Sequence, residues 1–594
     1  MRADFYVAVD GDDASPGTAE RPFATISAAQ DAVRGLCRNG LQQHVTVQIG
    51  GGTYRLMEPL VFGPNDSGTD EFRVIYAAAP GEKPILSGGR RISGWRETDT
   101  GRWETLIPEV KAGSWYFRQL FVNGHRGTRA RAPNDGFFRV DAAGPDNRTS
   151  FRFQEGDLTP SSRQEDAELV FLSDWSISRV RIKEVNAAAR AVTFCDPIGP
   201  AAADFYAISG FEPHARYYVE NAPEFLDTPG EWYLDRKTGL LTYQPLQGEA
   251  IDAVEAVAPV LQRLLTVSGD LATGRPVRNL HFVGLTFAHT EFQLPTRGYA
   301  EVQACFAEQR PNPLGRWNSF PPQAAVAFVH AVNCSIDGCE ICHTGAAGVG
   351  IAGRSRNNQI VGCDVFDIGM NGVMVFSEKN NTVSDCRIHH CGVVGHGGVG
   401  VWVGLTEATA VTRNEISHLP YTGVSVGWKW DHTPTPCRNN LVAFNHIHHV
   451  MQLLSDGGGI YTLGLQPGTV LRGNLIHDIS PAAGKEQSNG IFMDQASTGI
   501  LVEGNGFFRI SQAPIRFNQA GRNELRKNVL RLSPTAQPLQ DAPPGTVKVD
   551  NLVETDEGDK LTAAIEQIRA EAGPDGVSPD VSQRSPRGRD WHHG

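Results

Sequence analysis

Along the second half of this chain, short apolar strings recur with one polar or sulfur-bearing residue always in the same place. The copies read SIDGCEI, QIVGCDV, TVSDCRI, AVTRNEI, LVAFNHI, VLRGNLI, LVEGNGF and ELRKNVL. Their fifth position is Cys339, Cys363, Cys386, Asn414, Asn445, Asn474, Asn505 and Asn528, at intervals of 23 to 31 residues. An earlier copy, HFVGLTF, begins at His281. A second motif follows each one: GVGIAG, GVMVFS, GVGVWVG, GVSVGW, GIYTLG, GIFMD and PIRFN. Its apolar positions alternate with variable ones, the period of a half-buried strand. Stretches of helical period are lacking here, so the repeat predicts one coil of a parallel β-helix rather than a helical array.

On that fold the Asn and Cys column gains a physical role. A side-chain amide at a turn can bond its neighbours in the coils above and below, and a buried Cys fills the same slot where the coil is apolar. PFATISAAQDAVRGL (22–36) has helical spacing and would cover the open edge of the first coil. KLTAAIEQIRAEAG (560–573) reads as a short helix stopped by Gly573. The last twenty residues read as a disordered tail. Between the ends the repeat is interrupted by hairpin signals such as VNG and DRKTGL. The chain therefore divides into a cap with the first coils (1–95), an inserted β-rich domain (96–265), the main solenoid (266–550) and a helix with a tail (551–594). On the inserted domain, Arg126, Arg129 and Arg131 are expected on a solvated strand face, with reach to a substrate as the second reading.

Insertions show which face of a solenoid works. From the Cys/Asn column to the next Gly-strand motif the gap is nine residues at Cys339, Cys363, Asn414 and Asn505. It is twelve from Cys386 to Gly398, fourteen from Asn445 to Gly459 and sixteen from Asn474 to Gly490. The extra residues should build walls beside a groove. If Val373, Val399, Val424, Ile460, Ile491 and Ile515 point inward, then Met374, Gly400, Trp402, Ser425, Tyr461, Phe492, Asp494, Arg516 and Asn518 point outward. Trp402, Tyr461 and Phe492 would then form an exposed aromatic column suited to sugar rings, with Trp428 and Trp430 as a second platform.

Two acids stand on consecutive coils of this region. Asp456 precedes GGGIYTLG and Asp494 ends GIFMD. Paired carboxylates about 5–5.5 Å apart suit a retaining glycosidase, and about 6.5–9.5 Å an inverting one. In the aligned motifs the two are offset by ~20 Å of extended strand, so they meet only if Gly457–Gly459 fold the loop back over the strand. Glu486, in the longest insertion, is a candidate to replace one of them, as are Asp431 and Asp478. A turn-capping role for Asp456 is the alternative. Of the many histidines, His396 and His449 adjoin insertions and are the candidates for contacts with substrate.

Composition narrows the partners. The chain has 594 residues and a formal charge of −12, with no long basic stretch, which argues against nucleic acid or an anionic membrane surface. No apolar run is long enough for a transmembrane helix. MRADFYVAVDGDD lacks the pattern of a secretion signal, so the sequence as it stands predicts a cytoplasmic protein, or a secreted or periplasmic one if a leader has been removed. Cys339-Glu-Ile-Cys342 with His389 has the look of half a zinc site, but these cysteines fit better as repeat residues. No metal and no cofactor is expected, and oligomeric state is not readable.

Several runs resemble a known family. FYVAVDGDDASPGTAERPFATISAAQDAV is similar to the opening of many right-handed parallel β-helix proteins. YTGVSVGWKWDHTPTPCRNNLVAFNHIHHVMQLLSDGGGIYTLGLQPGTVLRGNLIHDIS, GIFMDQASTGI and GEWYLDRKTGLLTY resemble glycoside hydrolase family 141 and its close relatives. The resemblance implies an all-β, right-handed parallel β-helix of the pectate-lyase-like kind, acting on plant cell-wall polysaccharides, with α-L-fucosidase and xylanase among the activities. It maps the family's acids onto Asp456 and Asp494. Where relatives often carry Asp-Glu-Gly-Ser, this chain has Asp494-Gln495-Ala496-Ser497, which places Gln495 where a proton donor could have stood. The expectation is a glycoside hydrolase on an oligo- or polysaccharide. The alternatives are a polysaccharide lyase using Arg516 or Lys429 with Ca²⁺, or a non-catalytic glycan-binding solenoid.

Overall fold

The structure is a computed structural model that describes residues 3–159, 166–199, 210–295, 298–308, 319–376, 379–481, 488–532, 537–555 and 559–574. Three parallel sheets of 13, 11 and 12 strands run along the molecule, and each complete coil contributes one strand to each sheet. The Val/Ile positions of the first repeat motif face the bore: Ile336, Ile360, Val383, Val411, Val442, Leu471, Val502 and Leu525 are all buried. This is the parallel β-helix expected from the repeat.

The corner between the first two strands of each coil explains the fifth position. The residue just before it is left-handed in successive coils, at Gly338, Gly362, Asp385, Arg413, Phe444, Gly473, Gly504 and Lys527. Half of these are not glycine, although that conformation costs an L residue about 1–2 kcal/mol. The Asn ladder offsets the strain. Asn445 Nδ2 donates to Asn474 Oδ1 (2.9 Å) and to Val411 O (2.9 Å), while its Oδ1 accepts from Asn414 N (3.0 Å) and Asn414 Nδ2 (2.9 Å). The same pattern continues through Asn505 and Asn528 to Asn551. Cys339, Cys363 and Cys386 occupy the column at its apolar end, buried and free of disulfides. A second ladder, unread in the sequence, stands at another corner, where Asn381 Oδ1 accepts from Asn358 N and Asn523 Oδ1 from Ile500 N.

The Gly that opens the second motif is fixed by close approach. A Cβ on Gly348, Gly372, Gly400, Gly423 or Gly459 would meet the carbonyl oxygen of the glycine in the next coil at 2.6–3.0 Å. The column runs through Gly400, not Gly398, and Val401 rather than Val399 pairs with Val373. The slip is two residues, so the side-chain parity survives it.

Helix Ile26–Asn39 closes the first coil, with Thr25 as N-cap and Ile26, Ala29 and Val33 buried. Helix Asp559–Glu571 buries Leu561 and Ile565 against Leu475, Phe508 and Val529, so it lies along the flank of one sheet. The tail expected at the C-terminus lies outside the described residues.

The solenoid is interrupted after Pro84–Ser87, which pairs directly with Thr286–Ala288. It resumes at Leu265–Ser268, which pairs with Leu60–Phe62. The excursion folds into antiparallel and mixed sheets of four, five and nine strands. It leans on the walls built by the coil insertions: Arg216 Nη1 donates to Leu453 O (2.8 Å), and Ser455 N donates to Asp174 O (2.6 Å). The expected solvated face of Arg126, Arg129 and Arg131 is a misreading. Arg129 and Arg131 are buried, and Arg126 donates to Asp367 Oδ1 at 2.7 Å. The acids that hold two of them come from distant segments: Arg129 is paired with Glu168 and Glu220.

Candidate active site

Asp456 sits at the tip of the loop that leads into strand Gly457–Leu463. The chain reverses at Asp456 itself, which is left-handed at φ 56. Contrary to the expectation from the sequence, the three glycines do not fold the loop back. They belong to the strand, and there they are required by contact. A Cβ on Gly457 would meet Thr422 Oγ1 at 2.6 Å and Tyr421 Cε2 at 2.8 Å, and one on Gly459 would meet Ile476 Cγ2 at 2.7 Å. Tyr421, seated over Gly457, donates its hydroxyl to Asp456 O at 3.1 Å and fixes the turn.

On the next coil, strand Ser488–Met493 pairs with this one so that Tyr461 lies beside Phe492, and Arg516 lies beside Phe492 on the coil beyond. Arg516 stacks its guanidinium 4.7 Å over the Phe492 ring and brings Nη1 to 3.9 Å from Asp456 Oδ1. Asp494 follows the strand and is buried, 6% exposed. Its Oδ2 accepts from the Tyr461 hydroxyl at 2.5 Å and its Oδ1 from Asn518 Nδ2 at 2.7 Å. Burial lifts the Asp494 pKa above the usual carboxylate value, and the Tyr461 and Asn518 bonds and the Arg516 charge offset only part of that. Both carboxylates act on the same two phenols: the Asp456 and Asp494 charges each raise the pKa of Tyr421 and of Tyr461, whose largest cause is burial. Asp456, Asp494, Tyr421, Tyr461 and Arg516 therefore share one site.

The aromatic column is differently placed from the expectation. Trp402, Tyr461 and Phe492 hold the predicted register but are 0–2% exposed. For Trp402 the reason is a covering segment that the repeat pattern does not contain, while Tyr461 and Phe492 pack with Leu463 and Trp430. Phe306 packs 4.6 Å from Trp402 and 5.0 Å from Trp428, and Phe376 stacks on Trp402 at 5.1 Å. Trp428 is buried as well, while Trp430 is half-buried and 6.3 Å from Trp175 of the inserted domain. Gln495 is half-buried in the turn after Asp494, and Ala496 there is left-handed at φ 62.

Other candidates lie elsewhere. His396 is buried under the inserted domain, its Nε2 3.1 Å from the Tyr218 hydroxyl, and burial drops its pKa to about 3. His449 belongs to a histidine ladder, stacked 5.1 Å from His418, which in turn stacks 5.0 Å from His390. Asp478 is taken up by Arg509 and His477, and Asp431 caps Thr433. Glu486 lies outside the described residues. Among the described residues no group of three or more His, Cys, Asp or Glu is placed to hold a metal ion, and no helix is long and apolar enough to cross a membrane. Sequence reasoning missed Tyr421 as a site residue; its place in YTGVSV, one coil before Asp456, was the available signal.

With this geometry the chain can be set beside known proteins. Residues 324–507 match the family model described as right-handed beta helix region, and residues 101–246 match that of the GH141 insertion domain. A solved structure titled "Glycoside hydrolase" superposes with TM-score 0.79 at 25% identity, covering 97% of this chain and 99% of that one. The complex of XylC with xylose follows at TM-score 0.46 and 13% identity (93% and 88% covered), and pectate lyase Pel9A at 0.38 and 9% (90% and 82% covered). No curated protein matches. The fold and site thus define a glycoside-hydrolase-like parallel β-helix protein. More particularly, its inserted domain is similar to the one described as the GH141 insertion domain.

Proposed function

We propose that this protein hydrolyses a glycosidic bond in a complex polysaccharide, with Asp494 as the proton donor and Asp456 as the base or nucleophile. The observation that carries this reading is the convergence of both carboxylates on Tyr421, Tyr461 and Arg516 with opposite surroundings. Asp494 is buried and desolvation raises its pKa, the direction that suits a general acid. Asp456 has a side chain 31% exposed and faces the Arg516 guanidinium, which compensates a negative charge there and leaves the carboxylate reachable from solvent. Glycoside hydrolysis needs such a pair, one acid to protonate the leaving oxygen and one carboxylate to attack or to activate water. The likeness to a glycoside hydrolase over nearly the whole of both chains supports the same reaction class. The resemblance to family 141 puts α-L-fucosides first among substrates and xylan second, with exo action favoured by the long coil insertions.

The test is a screen of aryl glycosides with pectic and xylan oligosaccharides, followed by Asp456→Asn and Asp494→Asn. Each variant should lose at least about a hundredfold in kcat, the usual worth of acid–base catalysis, with an unchanged melting profile. Near-normal turnover in both would remove the pair from the mechanism. A product absorbing in the ultraviolet would mark elimination instead.

A further inference from the structure

Two tryptophans beside the acids keep part of their surface in solvent, and one of them belongs to the inserted domain. Strands Glu168–Leu172 and Ile177–Asn186 form a hairpin in which Leu172 pairs with Ile177. The turn between them reads SDWS and carries Trp175; Ser173 N donates to Ser176 O across it at 2.9 Å. This turn is tied to the solenoid on both sides of Trp175. Asp174 O accepts from Ser455 N (2.6 Å) and from Ser455 Oγ (3.2 Å), and Ser455 is the residue before Asp456. Ile177 N donates to Glu301 Oε2 at 3.0 Å, and the same oxygen accepts from Gly397 N at 3.0 Å, in the insertion of an earlier coil. The hairpin tip is therefore held against the walls of the site, with the Trp175 side chain next to the loop of Asp456.

What Trp175 meets there is Trp430, with ring centroids 6.3 Å apart and planes inclined by 35°. Trp430 in turn packs against Tyr461 and Phe492, the residues that touch Asp494 and Arg516. Trp402 and Trp428 are buried under Phe306, whereas Trp175 and Trp430 are half-buried. Two indoles left part-exposed in one contact forgo apolar burial, the mark of a surface that takes a ligand. Their spacing decides the geometry. A ring held between two others needs about 7–8 Å, twice the ~3.5–4.0 Å of a carbon–carbon contact. The two indoles are too close to clamp a ring and instead present one continuous apolar wall. The ligand that suits such a wall beside two carboxylates is a pyranose, apolar on its C–H face and polar at its edge.

We propose that Trp175 is a substrate-binding residue: with Trp430 it forms the wall on which a sugar ring next to the scissile bond lies by its C–H face. The inserted domain is thereby a part of the active site rather than an appendage to the solenoid. The place of the scissile bond rests on the glycosidase reading above; the binding of a sugar ring by the two indoles does not depend on which residues catalyse.

The test is calorimetric titration of the full chain carrying Asp494→Asn, which limits turnover, with methyl α-L-fucoside, xylohexaose and a rhamnogalacturonan oligosaccharide. At least one should bind saturably. Adding Trp175→Ala should weaken that ligand roughly tenfold, the order expected for part of one large apolar side chain, and Trp430→Ala should weaken the same ligand. Trp175→Phe, which keeps a ring in the turn, should bind within about threefold of the parent. Hydroxyl-radical footprinting of the protein with both tryptophans intact needs no substitution, and the bound saccharide should protect Trp175 and Trp430 together. In the active enzyme Trp175→Ala should raise KM roughly tenfold and leave kcat within about threefold. The proposal is overturned if no saccharide binds, if neither tryptophan is protected, if Trp175→Ala folds and binds as the parent does, or if kcat falls while affinity is unchanged. That last result would make the ring a mere prop for the Asp456 turn. Failure of the acid pair looks different: Asp456→Asn and Asp494→Asn would turn over near normally while the effect of Trp175→Ala on affinity remained.

Discussion

Removing one hydroxyl tests whether Asp494 is the acid. In the folded protein two influences on its carboxyl oppose each other. Burial disfavours the charged form, while the bonds from Tyr461 at 2.5 Å and Asn518 at 2.7 Å favour it, and burial wins. Tyr461→Phe deletes one of those bonds and keeps the ring that packs against Phe492 and Leu463. A hydrogen bond to a charged group is worth ~1.5–3 kcal/mol, and one pKa unit is ~1.4 kcal/mol. The variant should therefore raise the Asp494 pKa by roughly one to two units. A general acid works while protonated, so the alkaline limb of kcat/KM should move to higher pH by the same amount. Asn518→Ala should move it in the same direction, and the double variant further than either.

The assay is a pH profile of kcat/KM on the aryl glycoside hydrolysed fastest, with the parent and three variants side by side. An alkaline limb that stays put, or moves down, in both single variants would refute the assignment of Asp494 as donor. A shift of the acidic limb instead would exchange the roles of the two acids, because a base works while ionised.

Three further outcomes concern the scaffold. Asn445→Ala leaves Asn414 N without its acceptor and removes two donated bonds, and should cost about 2–4 kcal/mol; Asn445→Cys should cost less, since Cys386 holds the same column and its Sγ accepts from Cys363 N. Urea midpoints give the order, and an Ala variant equal to the parent would empty the ladder of energetic meaning. Ala496→Gly relieves a left-handed residue at φ 62 and should stabilise by about 1 kcal/mol, read as a higher Tm. Stability should also fall on both sides of mildly acidic pH. Burial raises Glu301 to about 7, so its stabilising effect is complete below the unfolded carboxylate value and lost as pH rises toward 7. Burial lowers His418 to about 3, so its effect is complete above the unfolded imidazole value and lost as pH falls from there toward 3. Glu301→Gln should flatten the upper slope of Tm against pH and His418→Gln the lower one; unchanged slopes in both would contradict the assignment.

What could be read from the sequence and what could not divides by the range of the interaction. The Asn column was legible because each amide bonds its counterpart one coil away, so the need repeats with the coil and leaves a periodic mark. The strand parity of Tyr461, Phe492 and Arg516 was legible for the same reason. The covering of Trp402 was not, because Phe306 arrives from a segment outside the repeat. Nor was the burial of the arginines: Arg129 finds Glu220 at 91 residues' separation and Arg126 finds Asp367 at 241. Alternating charge on a short strand looks solvated until its partners are known. The glycines before Tyr461 fall between these cases. Their presence pointed to the site, but their cause was misjudged, since freedom to bend and the need for close approach select the same residue. Only the contacts of Gly457 with Tyr421 and of Gly459 with Ile476 tell the two apart. They also place the reversal at Asp456, where a left-handed aspartate held by the Tyr421 hydroxyl aims its carboxylate at Arg516. Asp456 is thus positioned by a strained turn rather than by a flexible loop, which is the rigidity that the role proposed for it requires.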